Sequence, residues 1–437
     1  MKFQKRFFPK APLTIALAFG IASQVQAQTT GPFSRETHLT GDWGGLRNDL
    51  YNNGIEIYGS YTTEPAANVS GGLEEGATYL HNFYLELDFD FEKLFGLENT
   101  SLMVRGSERS GKSLSADYIG NTISVQQLYG GGQTHRLVEV QMSHKLFDEK
   151  VDLAYGRLTA TSDFMTSPLF GEYVTNAICG QLNSPFYNMP DGLSAYPVAT
   201  LGARMIIDTS EQTHLKVGVY DGGPIGPAGG DNHGEDFSVG DNGALYLAEF
   251  NYTPESGLFD LPGRYAIGGF YHSGDFASIT EDIAGGNPYI SGLPGKEEDS
   301  QYGIYFVFEQ MLMAHDEDPG KGLTFFIAGS MSPEEEKSPM PYYGIAGLLY
   351  DGLISSRPQD KTALGLYSAW FSDERNDAYR KAGLETQNYE AGIELNHKFQ
   401  VTPYLHIRPN IQYVFNPSGY REIDDALVLG IELGLVF

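Results

Sequence analysis

The end of the chain constrains the fold most. Residues 426–437 read ALVLGIELGLVF, and Leu427, Leu429, Ile431, Leu433, Leu435 and Phe437 share one side of a period of two. Ala426, Val428, Gly430, Glu432, Gly434 and Val436 share the other. A β-strand sends alternate side chains to opposite faces, so this segment has one wholly apolar face and one that is small or acidic. On its own it also fits a sandwich strand with a single wet face. The final residue is itself an in-phase aromatic, Phe437, and a terminal aromatic of this kind is what outer-membrane assembly machinery reads. The expected setting is lipid outside and lumen inside.

The same alternation recurs upstream. Phe83, Leu85, Leu87, Phe89 and Phe91 alternate with Tyr84, Glu86, Asp88, Asp90 and Glu92. Tyr389, Ala391, Ile393 and Leu395 alternate with Glu390, Gly392, Glu394 and Asn396, and Leu405, Ile407, Ile411, Tyr413 and Phe415 with His406, Arg408, Asn410 and Gln412. Sixteen such strands are expected, starting near residues 54, 78, 100, 136, 150, 200, 214, 244, 263, 302, 322, 341, 362, 388, 403 and 424. Short turns near 93–99, 148–150, 210–212, 254–258 and 316–320 alternate with long loops at 112–134, 159–198, 224–243, 277–300 and 374–386. Short periplasmic turns, long outer loops and an even strand number are the habit of outer-membrane barrels. The fold class is therefore all-β: a 16-stranded antiparallel transmembrane β-barrel, porin-like, with a short N-terminal periplasmic helix. Asp42 is placed to cap that helix from Gly44, and Gly54 to end it.

The start of the chain agrees with this address. Lys2, Lys5, Arg6 and Lys10 precede the short apolar run 11–22, and Val25-Gln26-Ala27 offers small residues for cleavage. Residues 1–27 are thus expected to be a signal peptide, with the mature chain starting near Gln28 in the outer membrane of a Gram-negative bacterium. Residues 28–53 form a periplasmic segment and 54–437 the barrel. The apolar run falls short of the roughly 20 residues a membrane helix needs. The formal charge of −28 becomes −28 − 4 = −32 without the four basic residues of the signal. Such a balance excludes nucleic acid as a partner, because that binding depends on Lys and Arg neutralising phosphates. Cys179 is the only cysteine, which rules out an intrachain disulfide.

Three motifs suggest other chemistry and are set aside. Residues 106–113 (GSERSGKS) match the phosphate-binding loop pattern, but that loop must open a helix, and 114–122 (LSADYIGNT) make a poor helix start. Asp231, Asn232, His233, Gly234, Glu235, Asp236 and Asp241 form an acidic loop that offers oxygen ligands to calcium. Its spacing fits no full calcium-loop pattern, and a solvated loop is the plainer reading. Glycosidase chemistry needs two carboxylates across a cleft, and alternating strands supply too many carboxylates to single out a pair. No Ser/His/Asp arrangement stands out, so the chain reads as no enzyme and calls for no cofactor.

The longest interruption, 159–198, carries Phe164, Phe170, Tyr173, Phe186, Tyr187 and Tyr196. A loop this long is usually functional or disordered, and folding inward to narrow a pore would put its rings against the apolar faces of sugars. Around these features the chain resembles the carbohydrate-selective outer-membrane porins of the OprB type. The matching stretches are 41–57 (GDWGGLRNDLYNNGIEI), 106–121 (GSERSGKSLSADYIGN), 155–164 (YGRLTATSDF), 174–180 (VTNAICG) and 196–202 (YPVATLG). The resemblance implies a sixteen-stranded barrel that passes glucose and related sugars. It supplies no individual constriction residue. Strand phase supplies Arg105 and Arg204, opposite apolar neighbours, and Glu139; Arg157 is added because the long loop begins beside it. Expected partners are sugars in the pore, outer-membrane lipid and lipopolysaccharide, and the assembly machinery at Phe437. The alternative is a general or cation-preferring porin of the same architecture, suggested by the acidic charge. An outer-membrane lipase barrel, the third class, would need a Ser/His pair that is not found.

Overall fold

A computed structural model describes residues 31–223, 233–315 and 318–437. The signal segment 1–27 with its cleavage point, residues 28–30, and Asp231 and Asn232 of the acidic loop lie outside the described residues. The wall begins with β1 (Ile55–Thr63, continued by Ala66–Gly72) and β2 (Gly76–Thr78, continued by Leu80–Asp90). It proceeds through β3 (Thr100–Gly111), β4 (His135–Leu146), β5 (Val151–Leu158), β6 (Thr200–Ser210), β7 (Thr213–Asp221) and β8 (Ala244–Tyr252). The second half is β9 (Gly263–Asp282), β10 (Gly295–Ala314), β11 (Gly322–Met331) and β12 (Tyr342–Asp351). β13 (Lys361–Trp370), β14 (Tyr389–Thr402), β15 (Leu405–Phe415) and β16 (Asp424–Val436) complete it.

Every strand pairs antiparallel with its neighbours, and β1 pairs with both β2 and β16, so the sheet has no free edge. Closure is what allows strands to cross lipid, where an unpaired backbone group would find no water. Eighteen paired segments reduce to sixteen wall strands, because two breaks interrupt a strand without shifting its register. Ser60 faces Val436 before the Glu64-Pro65 break and Ala66 faces Gly430 after it. Along the other partner, Ile55 faces Phe89 and Ala66 faces Thr78. Pro65 has no N–H to give to the ladder, which accounts for the break in β1.

The two faces follow the period-two reading. On β16, Leu429 and Ile431 are exposed outward, whereas Ala426, Val428 and Glu432 are buried inside. Outward aromatics line up across strands: Tyr246, Tyr271 and Tyr302 stand side by side on β8, β9 and β10, and Tyr342, Trp370 and Tyr389 on β12, β13 and β14. Such a row is the girdle expected where hydrocarbon gives way to water.

Local elements depart from expectation in three places. Asp42 does accept from the Gly44 N–H at 3.2 Å, but it caps a single 3₁₀ turn, and the helix proper, α1 (Leu46–Asn52), starts after Gly45. Half of the expected loop 277–300 is a paired ribbon, since β9 and β10 run on to Asp282 and from Gly295. Beyond the membrane the outer face of the ribbon meets water, so Asp275, Glu281 and Glu297 there are polar without ceasing to pair, while Phe276 and Ser278 on the other face stay buried. The expected loop 374–386 contains α5 (Asp373–Ala382), N-capped by Ser372 and stopped by Gly383 at φ 69°. Shorter helices are α2 (Phe91–Phe95) in a turn, α3 (Ser184–Asn188) inside the barrel, and α4 (Pro288–Ser291) against α5.

Leu366 faces outward, about half exposed, between the Trp370 girdle and the other end of β13. Leu366→Arg should destabilise the barrel by about 2–4 kcal/mol, the cost of a cation on the lipid face near the midplane. Reversible unfolding in lipid vesicles measures this, and an unchanged stability would contradict the assigned orientation.

Candidate functional site

A lumen-facing carboxylate has two ways to satisfy its charge: a cation on the wall or a donor brought in from elsewhere. Here the buried ones use both. Glu139 on β4 takes Nη1 of Arg105 at 2.6 Å, and its other oxygen accepts from the backbone N–H and the hydroxyl of Thr159, each at 2.8 Å. Arg105 also donates to Glu86 on β2. Arg204 on β6 donates to Asp152 at 2.6 Å and to Asp163 at 3.1 Å. Lys216 on β7 reaches the backbone oxygen of Asp163 at 2.6 Å and Glu249 at 3.0 Å. Thr159 and Asp163 belong to the long connection between β5 and β6, so these groups fasten its first turn to the wall.

That connection then runs around the inside of the barrel. Glu249 accepts from the N–H of Met165 at 3.2 Å, and Arg264 donates to the backbone oxygen of Thr166 at 3.1 Å. Glu172 reaches a cationic patch on the far wall: Lys361 at 2.9 Å, Arg408 at 3.0 Å and Lys398 at 3.3 Å. Burial pushes this loop carboxyl up, but Lys398, Arg408 and Lys361 outweigh burial and hold it down at about 2. Glu394 on β14 accepts from the N–H groups of Val174 and Thr175, the latter at 2.6 Å. The Tyr173 hydroxyl donates to the backbone oxygens of Leu348 and Leu364. Gly365 makes this approach possible, since a Cβ there would lie 2.5 Å from the Tyr173 ring. Ser184 and Ser330 then meet at 2.7 Å, and Asn188 donates to Ser332 and Met340.

A second segment enters beside the first. Residues 112–134 put the N–H groups of Thr122 and Ile123 on Glu390 at 2.6 and 3.1 Å. Gln412 donates to the Val125 oxygen, Gln127 to Glu432, and Gln126 to the Glu64 oxygen at the β1 break. The two segments join through Gln127 N–H to Val174 O at 2.8 Å and Asn176 N–H to Ser124 O at 2.9 Å. Together they fill the side of the lumen under β7–β16 with apolar packing, and Phe164, Phe170 and Tyr173 are fully buried in it. These three rings therefore cannot face sugars as the sequence reading supposed. The rings left partly exposed are Phe186, Tyr187 and Tyr196; Tyr196 lies under Arg109, 4.9 Å from the guanidinium, and donates to Asn82 at 3.3 Å.

Of the four candidates from sequence, Arg105 and Glu139 are joined directly, and Arg204 stands on the lumen face of the adjacent wall. Arg157 is not among them. It shares the odd phase of Val151, Leu153 and Tyr155, and it donates to the backbone oxygens of Val138 at 3.2 Å and Asp236 at 2.9 Å. It ties a strand end to the 233–243 loop. Phase also had the means to find the groups that were missed: Lys216, Arg264, Lys361, Lys398 and Arg408 all project from the lumen face of their strands. The segment 106–113 that mimics a phosphate loop lies in β3 as far as Gly111, with Arg109 bonded to Asn82. Beside Arg204 the lumen keeps a polar recess of about 380 Å³, lined by Ser101, Gln141, Ser143, Lys145 and Asp152 among others.

The loops should depend on the wall carboxylates that cap their N–H groups. Glu394→Ala leaves Val174 and Thr175 without an acceptor, and each buried unsatisfied donor costs about 1–3 kcal/mol. The expected result is a higher, noisier single-channel current with the barrel still heat-modifiable. A wild-type current would show that Glu394 does not hold the loop.

The description "Carbohydrate-selective porin, OprB family" fits residues 74–437 of this chain. Porin B of Pseudomonas aeruginosa is 30% identical over 447 aligned positions, spanning 97% of this chain and 95% of that one. The high-pH structure of Pseudomonas putida OprB superposes with a TM-score of 0.86 at 27% identity, covering 93% of this chain and 99% of that one.

Proposed function

Because the chain belongs to the carbohydrate-selective porin family, OprB, we propose that its sugar path runs between the inward segments and the wall of β2–β6, past Arg105 and Arg204. The protein is a sixteen-stranded outer-membrane channel through which carbohydrates diffuse passively. Family and fold are those of a channel, and no catalytic step is proposed.

The observation that carries the path is a pair of arginines, each set between two carboxylates, at the entry of the long loop. Arg105 lies between Glu86 and Glu139, and Arg204 between Asp152 and Asp163. A guanidinium has five donors in a fixed fork, and two carboxylates do not exhaust them; Arg105 keeps a quarter of its side-chain surface open. A neutral sugar gains several exchangeable hydrogen bonds there. Weak contacts of this kind let a solute enter and leave. Glu139, almost wholly buried, is a positioning residue that fixes Arg105 and starts the loop. The polar recess beside Arg204 is the next station on the periplasmic side. Outward, lipid and lipopolysaccharide cover the apolar face, and Phe437 serves the assembly machinery.

Single-channel recording with added glucose tests the path. Arg105→Ala should weaken glucose blocking several-fold, the effect of losing about 1 kcal/mol for one net hydrogen bond, while ion conductance stays equal or rises. Unchanged blocking in Arg105→Ala and Arg204→Ala, with the barrel intact, would remove both residues from the path. Blocking by no sugar at all would favour a general or cation-preferring channel.

A further inference from the structure

The motif GDWGGLRND, residues 41–49, takes no part in the channel. It lies at the end of the barrel where the first and last strands meet. Its Arg47 is 1% exposed. One guanidinium nitrogen donates to the backbone oxygen of Phe437 at 2.7 Å, and the other donates to the backbone oxygen of Ile57 at 2.6 Å. The guanidinium lies 3.9 Å from the ring centre of Phe33 and 5.1 Å from that of Trp43. Asn48, also buried, holds Phe33 from both sides: it accepts from the Phe33 N–H at 3.1 Å and donates to the Phe33 oxygen at 2.9 Å. The Leu39 N–H adds a bond to the Val436 oxygen at 3.0 Å.

The location gives these contacts a purpose. Strand β16 runs out at Phe437, whose N–H reaches the Gly59 oxygen at 2.9 Å as the last rung of the seam. Below that rung β1 continues to Ile55 with β2 on one side and no strand on the other. The Ile57 oxygen on that open side and the Phe437 oxygen would both be left at a sheet edge, the place where strands fray or capture other chains. Arg47 donates to both, so a single side chain replaces the missing strand. Burying a cation is costly unless its hydrogen bonds are made; both terminal nitrogens make theirs here, and the two rings with Asn48 shape the pocket.

We propose that residues 33–50 are a clasp for the barrel seam: Arg47 locks Phe437 at the end of β16 to Ile57 of β1, closing the seam from the periplasmic side. The clasp can form only once β16 has paired with β1, so it marks completion of the barrel. It is independent of the sugar path.

The test uses full-length folded protein in detergent, with release of the Phe437 amide to hydrogen exchange and the temperature of the folded-to-unfolded gel shift as readouts. Wild type should protect the Phe437 amide. Arg47→Ala should release it at least tenfold faster and convert at a lower temperature, with conductance and glucose blocking unchanged. Asn48→Ala, which leaves Arg47 in place but frees Phe33, should change both readouts in the same direction by less. Wild-type release and conversion temperature in Arg47→Ala would overturn the clasp. If Arg47→Ala yields no folded barrel, Asn48→Ala decides, and wild-type behaviour there overturns it equally.

Discussion

A loop that enters a barrel carries its backbone N–H groups out of water, and each needs an acceptor waiting on the wall. In this chain the acceptors are carboxylates. Glu139 meets Thr159, Glu249 meets Met165, Glu394 meets Val174 and Thr175, and Glu390 meets Thr122 and Ile123. Hydrogen bonds from neutral N–H to a charged acceptor are stronger than neutral pairs. A glutamate is also long enough to cross from the sheet to the loop. The glutamates on the lumen phase of β4, β8 and β14 thus determine where the inward segments rest, and those segments determine what space remains.

Charge follows from the same arrangement. Wall cations bond either a wall carboxylate or a loop group: Arg204 takes both Asp152 and Asp163, while Lys361, Lys398 and Arg408 converge on Glu172. The strongly acidic composition is offset only in part this way, since Glu390 and Glu394 are met by backbone N–H groups instead of cations. It resides in good part on the outer ribbon and loops, where Glu281, Glu297, Glu298 and Asp299 on β9 and β10 stand with Glu334, Glu335 and Glu336.

How much of this was legible before the structure depends on which physical signal each element leaves. Wall strands leave a period of two, and all sixteen could be located, because lipid on one face and lumen on the other enforce alternation over the whole span. The ribbon of β9 and β10 beyond the membrane lost that enforcement and read as loop. Ser372, Asp373 and Gly383 are ordinary helix signals for α5, but they sit in a stretch too polar to show an apolar stripe. Phase places Arg105 and Arg204 on the lumen face, where the structure has them, and the same argument, pursued along every strand, reaches Arg264, Lys361 and Arg408. Arg157 was chosen for its position in the chain, against its phase, and the structure puts it with the 233–243 loop. The inward course of 112–134 left no periodic trace, since its contacts are long-range pairings such as Ile123 with Glu390. The seam clasp was equally silent: GDWGGLRND suggests a capped helix, but nothing in it points to a residue at the far end of the chain.

The account stands on the inward segments lying fixed against the wall while sugar passes beside them. Ser184 in α3 and Ser330 on β11 touch at 2.7 Å inside the barrel, close enough for a disulfide between cysteines at those positions. The decisive measurement is single-channel current under glucose titration for Ser184→Cys/Ser330→Cys, before and after oxidation. The account predicts that the cross-link forms and that both the open current and the glucose block stay as they were. A cross-link that fails to form, or one that shuts the current or abolishes the block, would contradict it.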